Sequence, residues 1–207
     1  MTTSYAAIKE LISKTRTVRR FGTKRLDEER IHGLIDLGRL GGSARNGQPW
    51  QYMIVTEKDL GDEIFPCLGW AGYLADWKGP APNEQPDAYI LCLLNHDRLN
   101  VAIKDAMFDL GISSQNILLG ATTIGIGGCR IGSISPKLND LFIIPQHLTI
   151  ELVIALGAPN ETIVLEQSQE EDDTRYWRDS EGSHHVPKRP LNELLVTLKP
   201  KVSDFRS

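Results

Sequence analysis

The 207-residue chain is 41% hydrophobic and carries 23 Lys and Arg against 27 Asp and Glu, a formal net charge of -4. That length holds one domain or a small pair with a proper core, and the acidic balance excludes a broad basic nucleic-acid face, though not a local anion site. Cys67, Cys92 and Cys129 are far apart with no metal spacing, which excludes a disulfide framework and fits a reducing compartment.

The N-terminal MTTSYAAIKELISK reads as an amphipathic helix and lacks the apolar region of a signal peptide. Apolar runs elsewhere fall short of the ~20 residues that span a bilayer, so a soluble cytoplasmic protein without a membrane partner is expected. Next comes KTRTVRRFGTKR, with basic residues Lys14, Arg16, Arg19, Arg20, Lys24 and Arg25 and no acid. It is either a solvated turn or an anion site. Its threonines and its excess of arginine over lysine suit phosphate oxygens and bidentate recognition.

Asp27 is a suitable N-cap for a helix through Leu40, with Gly41 and Gly42 ending it. The following GGSARNGQPW is either an ordinary loop or a donor-rich ligand loop, offering Ser43, Arg45, Asn46 and Gln48. Strands are expected at 51–56, 88–95 and 148–157, the last two being apolar enough to be covered on both faces. Between 65 and 87, Trp70, Tyr73 and Trp77 either pack a loop excursion or stack on an aromatic substrate.

Residues 105–125 predict a long helix, apolar around most of its circumference, which is either central or part of a subunit interface. Gly111, Ser113, Ser114 and Ala121 would allow close packing there. GIGGCRIGS, 125–133, is no dinucleotide fingerprint: Arg130 stands where glycine is needed, and a helix precedes it, not a strand. It reads as a capping turn, or as a place where Gly128, Gly132 and Ser133 bring backbone amides close to a flat ligand. The polar tail has one short helix at PLNELL, and its aromatic residues favour wrapping over another surface. Adjacent His184 and His185 are poor joint metal ligands, so no metal is expected. Lys188 and Arg189 are solvated or bind an anion. There is no triad, no nucleophile motif and no Walker loop. The irregular alternation of helices and strands favours an α+β fold.

Four pieces in order resemble the FMN-dependent nitroreductase family. Arg16-Thr17-Val18-Arg19-Arg20-Phe21 matches R-[ST]-x-R-x-[FY], and Ser43 to Trp50 matches S-x-x-N-x-Q-P-W. Gly125 to Gly132 matches G-[IL]-G-x-C-x-I-G, and the strand then ends in IALGAP. The resemblance implies a nitroreductase-like α+β fold, a central mostly antiparallel sheet flanked by helices, in an intertwined homodimer. It implies one domain over 1–207, whose tail from about 158 wraps the partner subunit. Arg16 and Thr17 would meet the FMN phosphate, and Arg19 the N1/O2 edge of the flavin. Ser43, Arg45 and Asn46 would reach FMN from the neighbouring subunit, and Gln48 would also bind the cofactor. Gly128, Gly132 and Ser133 would lie along the ring, with an amide donating to N5, and Lys188 and Arg189 would close on the phosphate. Thr15 departs from the basic residue common before the signature. Arg20, Lys24 and Arg25 are left as solvated charges.

The activity implied is ping-pong hydride transfer from NADH or NADPH through flavin N5 to a nitroaromatic, quinone or similar acceptor, with no catalytic protein side chain. The alternatives are a specialised flavoenzyme of the family (a dehalogenase, a flavin-fragmenting enzyme or a biosynthetic dehydrogenase) and a non-catalytic FMN-binding module.

Overall fold

The computed structural model describes residues 4–23, 26–168 and 173–198. Its contacts divide into two compact units, one running to Glu161 and one starting at Thr162.

In the larger unit, α1 (Tyr5–Lys14) starts where the Ser4 side chain accepts the Ala7 N–H. Tyr5, Ile8 and Ile12 recur at helical spacing and are all exposed. After the two-residue β1 (Phe21–Gly22) comes α2 (Glu28–Arg39), capped by Asp27, whose carboxylate accepts the Arg30 N–H. Glu28 and Glu29 in its first turn complement the helix dipole. The expected glycine stop works differently. Gly41 donates to the Gly38 carbonyl at 3.1 Å, and a Cβ on Gly41 would lie 2.8 Å from Ile112 Cγ2. Close helix approach, not a left-handed cap, calls for glycine there.

The chain continues through β2 (Trp50–Val55), α3 (Lys58–Ile64), β3 (Ala88–Asn95), α4 (Ile103–Thr123), β4 (Gly127–Ile131) and β5 (Leu148–Pro159). These strands form one antiparallel sheet in the order β1-β5-β3-β2, with β4 also on β5. β5 can take two neighbours on one edge because it is long: Val153 to Gly157 pair with β4, and Ala158 and Pro159 with β1. Cys92 faces Leu152 while Leu93 faces Ile150, so Glu151 is an extra residue that bends β5.

Helices α2 and α4 cover one face of the sheet, where Ile31, Leu34, Ile117 and Leu118 join Ile90, Cys92, Ile154 and Leu156 in one core. Each such side chain, fully buried, contributes ~1.5–3 kcal/mol. Tyr89, Leu91 and Leu93 alternate with these on β3 and are buried too, so the continuous apolar run does mean cover on both faces. The small residues that bring α2 and α4 together are only partly those expected. A Cβ on Gly38 would meet Ser113 Oγ at 2.8 Å, and one on Gly120 would meet Leu34 Cδ2 at 3.2 Å, whereas Gly111 faces open space. Ile103, Met107, Phe108 and Ile112 stay exposed, so α4 is central on one side and apolar but uncovered on the other.

The second unit holds more strand than its composition suggested. β6 (Ile163–Gln167) pairs in parallel with β8 (His184–Lys188), and β7 (Trp177–Arg178) pairs antiparallel with β8. Asp179 accepts the Glu181 and Ser183 N–H groups, and Gly182 takes φ 83°, which closes the turn between β7 and β8. The single-turn α5 (Leu191–Leu194) follows. Among the described residues, no helix is long and apolar enough to cross a membrane.

Candidate functional site

The basic segment is tied to the glycine-rich strand. Thr15 ends α1 by returning its N–H and its hydroxyl to the Leu11 carbonyl. The chain then extends: Val18 N–H donates to the Gly128 carbonyl at 3.0 Å, and Thr17 lies beside Gly128 in parallel. Val18 and Phe21 point into the core, and Thr17 stays exposed. Hydrophobic anchors at those two positions therefore hold up the polar residues between them.

Arg16 folds back over the end of α1, where Nε donates to Thr15 O at 2.7 Å and Nη2 to Ile12 O at 3.0 Å. Burial lowers its pKa, but a guanidinium stays charged, and only two of its five N–H donors are used in these bonds. Arg19 lies beside Cys129, whose thiol burial pushes up to about 11 against the opposing pull of the Arg19 charge. Cys129 is therefore a protonated packing group, not a nucleophile. Arg20 is a correction: Nε sits 3.5 Å from Glu84 Oε2 and the side chain is only 29% exposed, so it is an ion-paired residue rather than a solvated charge. Lys24 and Arg25 lie outside the described residues.

The GIGGCRIGS stretch is a turn at Gly125 (φ 73°) followed by a true strand. Gly128 is buried there: a Cβ would come within 2.6 Å of Leu118 Cδ2 and 2.9 Å of the Ala155 carbonyl. Its missing side chain serves packing of β4. Gly132 differs, being exposed with open space where a Cβ would go. Ser133, also exposed, accepts the Gly69 N–H on its carbonyl at 2.8 Å.

The second cluster hangs on α4. Asp109, buried to 7% exposure, accepts the Ser43 hydroxyl at 2.9 Å and the Ala44 N–H at 3.0 Å. Ser43 Oγ in turn accepts the Gln48 N–H at 3.0 Å, which closes the loop on itself. Within that ring Arg45, Asn46 and Gln48 all have positive φ (51°, 53° and 47°) and exposed side chains. Non-glycine residues hold such φ values only when their surroundings impose them. Gln48 Nε2 donates to Asn46 Oδ1 at 2.9 Å, so the two amides are aligned with each other.

A cavity of about 140 Å³ opens beside this loop, lined by Ser43, Gln48, Trp50, Tyr52, Asp109 and Ser113 among others. That is below the ~300–1,000 Å³ of ordinary ligand pockets. A larger cleft of about 510 Å³, edged by Asp62, Asp87 and Tyr89, contains none of the expected site residues. In the aromatic excursion, Trp70 packs on Phe65 with ring centroids 5.5 Å apart, whereas Tyr73 is exposed. In the second unit Lys188 is exposed, and Arg189 Nη1 lies 3.4 Å from Glu193.

Two anchoring acids escaped the sequence reading. Asp109 was detectable as a carboxylate past the first turn of the largely apolar α4. Glu161, which binds the backbone at Arg19 and Arg20, left no such signal.

The Nitroreductase family model matches residues 12–158. A Methanothermobacter thermautotrophicus protein with the provisional name NADH dehydrogenase/NAD(P)H nitroreductase is 28% identical over 157 residues, 73% of this chain and 77% of its own. The NADPH-flavin oxidoreductase of Vibrio harveyi is 25% identical over 158 residues, 73% of this chain and 65% of its own. A provisional nitroreductase from Desulfovibrio desulfuricans, crystallised with FMN, superposes with a TM-score of 0.68 at 21% identity, covering 96% of this chain and 99% of its own; that likeness is one of fold. The expected α+β fold with a mostly antiparallel sheet and the expected family resemblance both hold. This chain belongs to the nitroreductase family.

Proposed function

We propose that the chain is an FMN-dependent NAD(P)H oxidoreductase. The observation that carries this reading is the parallel pairing of Thr17 with Gly128, which puts a basic segment and a glycine-rich strand on one ledge. The donor set fits FMN. Arg16 has donors to spare, Thr17 adds an exposed hydroxyl, Arg19 adds charge, and the open face of Gly132 admits a flat ring.

Arg16 and Thr17 hold the phosphate in this reading, a charge-assisted pairing that suits a guanidinium fork. Arg19 stabilises negative charge at the N1/O2 edge by preorganised electrostatics. Gly132 and Ser133 offer backbone amides along the ring. FMN, when bound, would supply redox chemistry at N5, through which NADH or NADPH would reduce a nitroaromatic, quinone or similar acceptor in two half-reactions. The protein's residues bind, orient and bias that chemistry, and no side chain serves as nucleophile.

The same reading makes the enzyme a homodimer with the site shared between subunits. Arg45, Asn46 and Gln48 would complete the partner's site from their strained loop. The exposed apolar residues of α1 and α4, including Tyr5, Ile8, Phe108 and Ile112, supply an apolar surface of the kind that marks subunit contacts. The tail beyond about 158, with Lys188 and Arg189, wraps that dimer, and the three buried free thiols suit the cytoplasm. Anaerobic mixing of FMN-loaded protein with NADH or NADPH tests the catalytic claim. Bleaching of the flavin and its recovery on adding nitroaromatic or quinone are expected. Bound flavin that no nicotinamide reduces would leave a binding module and sink the enzyme reading.

A further inference from the structure

A single acid grips the backbone beneath the proposed flavin-facing arginine. One carboxylate oxygen of Glu161, Oε1, accepts the N–H groups of both Arg19 and Arg20, the latter at 3.1 Å. The next residues continue the attachment: Asn160 N–H donates to Arg20 O at 2.9 Å, and Phe21 pairs with Pro159. Residues 19–21 are thus fastened to 159–161, and only the first step uses a side chain. The charges of Arg19 and Glu161 both act on the buried Cys129 thiol, so all three groups share one neighbourhood. Arg20 is turned away into its own ion pair with Glu84.

We infer that Glu161 is a positioning residue for Arg19, fixing its backbone and offsetting its charge at the flavin site. The inference rests on the FMN reading above. A carboxylate that accepts two successive backbone N–H groups removes much of the freedom of the backbone at Arg19 and Arg20. Hydrogen bonds to a charged acceptor are about twice as strong as neutral ones, so losing both loosens the loop. The negative charge beside Arg19 also reduces the positive field that the guanidinium presents to reduced, anionic flavin.

Two variants separate these effects. Glu161→Gln keeps an acceptor oxygen and loses the charge, while Glu161→Ala loses both. In the flavin-free protein, amide hydrogen exchange at Arg19 and Arg20 should speed up at least about tenfold in Glu161→Ala, the equivalent of one lost charged hydrogen bond, and much less in Glu161→Gln. In the FMN-bound protein, Glu161→Ala should weaken FMN binding about tenfold or more, with Glu161→Gln restoring most of the affinity. Glu161→Gln should also shift the flavin midpoint potential to more positive values, which a purely structural role would not do. Unchanged amide exchange in Glu161→Ala would overturn the bracing. Faster exchange with unaltered FMN affinity and potential would overturn the link to the cofactor. A wild-type protein that takes up no FMN would refute the flavin reading itself, and the exchange measurement would still judge the bracing.

Discussion

Removing the Asp109 carboxylate should free the 43–48 loop. In Asp109→Ala, the Ser43 hydroxyl and the Ala44 N–H lose their acceptor, and Ser43 no longer has a fixed position from which to hold the Gln48 N–H. Hydrogen bonds to charged groups are worth ~1.5–3 kcal/mol each. Against this, alanine gains roughly 0.5 kcal/mol of helix propensity over aspartate, and Ser43 is partly exposed and recovers water. Relief of the left-handed φ values at Arg45, Asn46 and Gln48 on release of the loop offsets a further part of this loss. The net loss expected is about 2–4 kcal/mol, a fall in melting temperature of ~4–16 °C at ~2–4 °C per kcal/mol for a chain of this size. Asp109→Asn keeps an acceptor oxygen and should lose about half as much. Urea unfolding of the flavin-free protein, with both variants alongside wild type, measures this directly. An alanine variant within ~0.5 kcal/mol of wild type, the range of an inconsequential surface change, would refute the anchoring argument.

Gly128→Ala should destabilise by ~1–3 kcal/mol through overpacking, because its Cβ meets a backbone carbonyl at 2.9 Å as well as Leu118. Gly132→Ala should fold normally, and any loss of FMN affinity there would report on the ligand face. Thermal melts with FMN titration distinguish the two. His185 sits between Glu166 Oε2 at 2.9 Å and Asp179 Oδ2 at 3.2 Å, stacked on Trp177 with centroids 4.0 Å apart. Hydrogen bonds to Glu166 and Asp179 raise its pKa, and the bonds from His185 lower theirs. Its contribution to the second unit is therefore complete below the ordinary histidine value of ~6.5 and fades as pH rises through its raised folded value. The carboxylates' share is complete above their ordinary values and fades as pH falls through the depressed ones. NMR titration of the His185 ring checks this, and a midpoint at or below ~6.5 would contradict it. Phe108→Asp, which places a charge on the uncovered side of α4, should convert a dimer to monomer in sedimentation. A wild-type protein that is already monomeric would refute the shared site.

What could be read from the sequence depended on how local its cause was. The Asp27 cap, the apolar runs of β3 and β5 and the helix at α4 all follow from spacing within a few residues, and the structure has them. β1 is only two residues long and exists because β5 extends past β4, a tertiary fact with no local signature. β4 looked like a capping turn because its glycines weaken strand propensity; packing against Leu118 and pairing with β5 override that preference. In the site, the motif residues were visible while their supports were not. The positive φ values at Arg45, Asn46 and Gln48 depend on Asp109, sixty-odd residues away, and the set of Arg19 depends on Glu161 at the far end of β5.

The most direct test of the central claim is titration of the purified protein with FMN, followed by anaerobic reduction with NADH and NADPH. The residues on the Arg16–Gly132 ledge predict stoichiometric uptake to a yellow protein, bleaching by at least one nicotinamide, and an affinity that falls sharply in Arg19→Ala. A colourless protein that takes up no FMN, or one whose bound flavin is indifferent to both nicotinamides, would contradict the account.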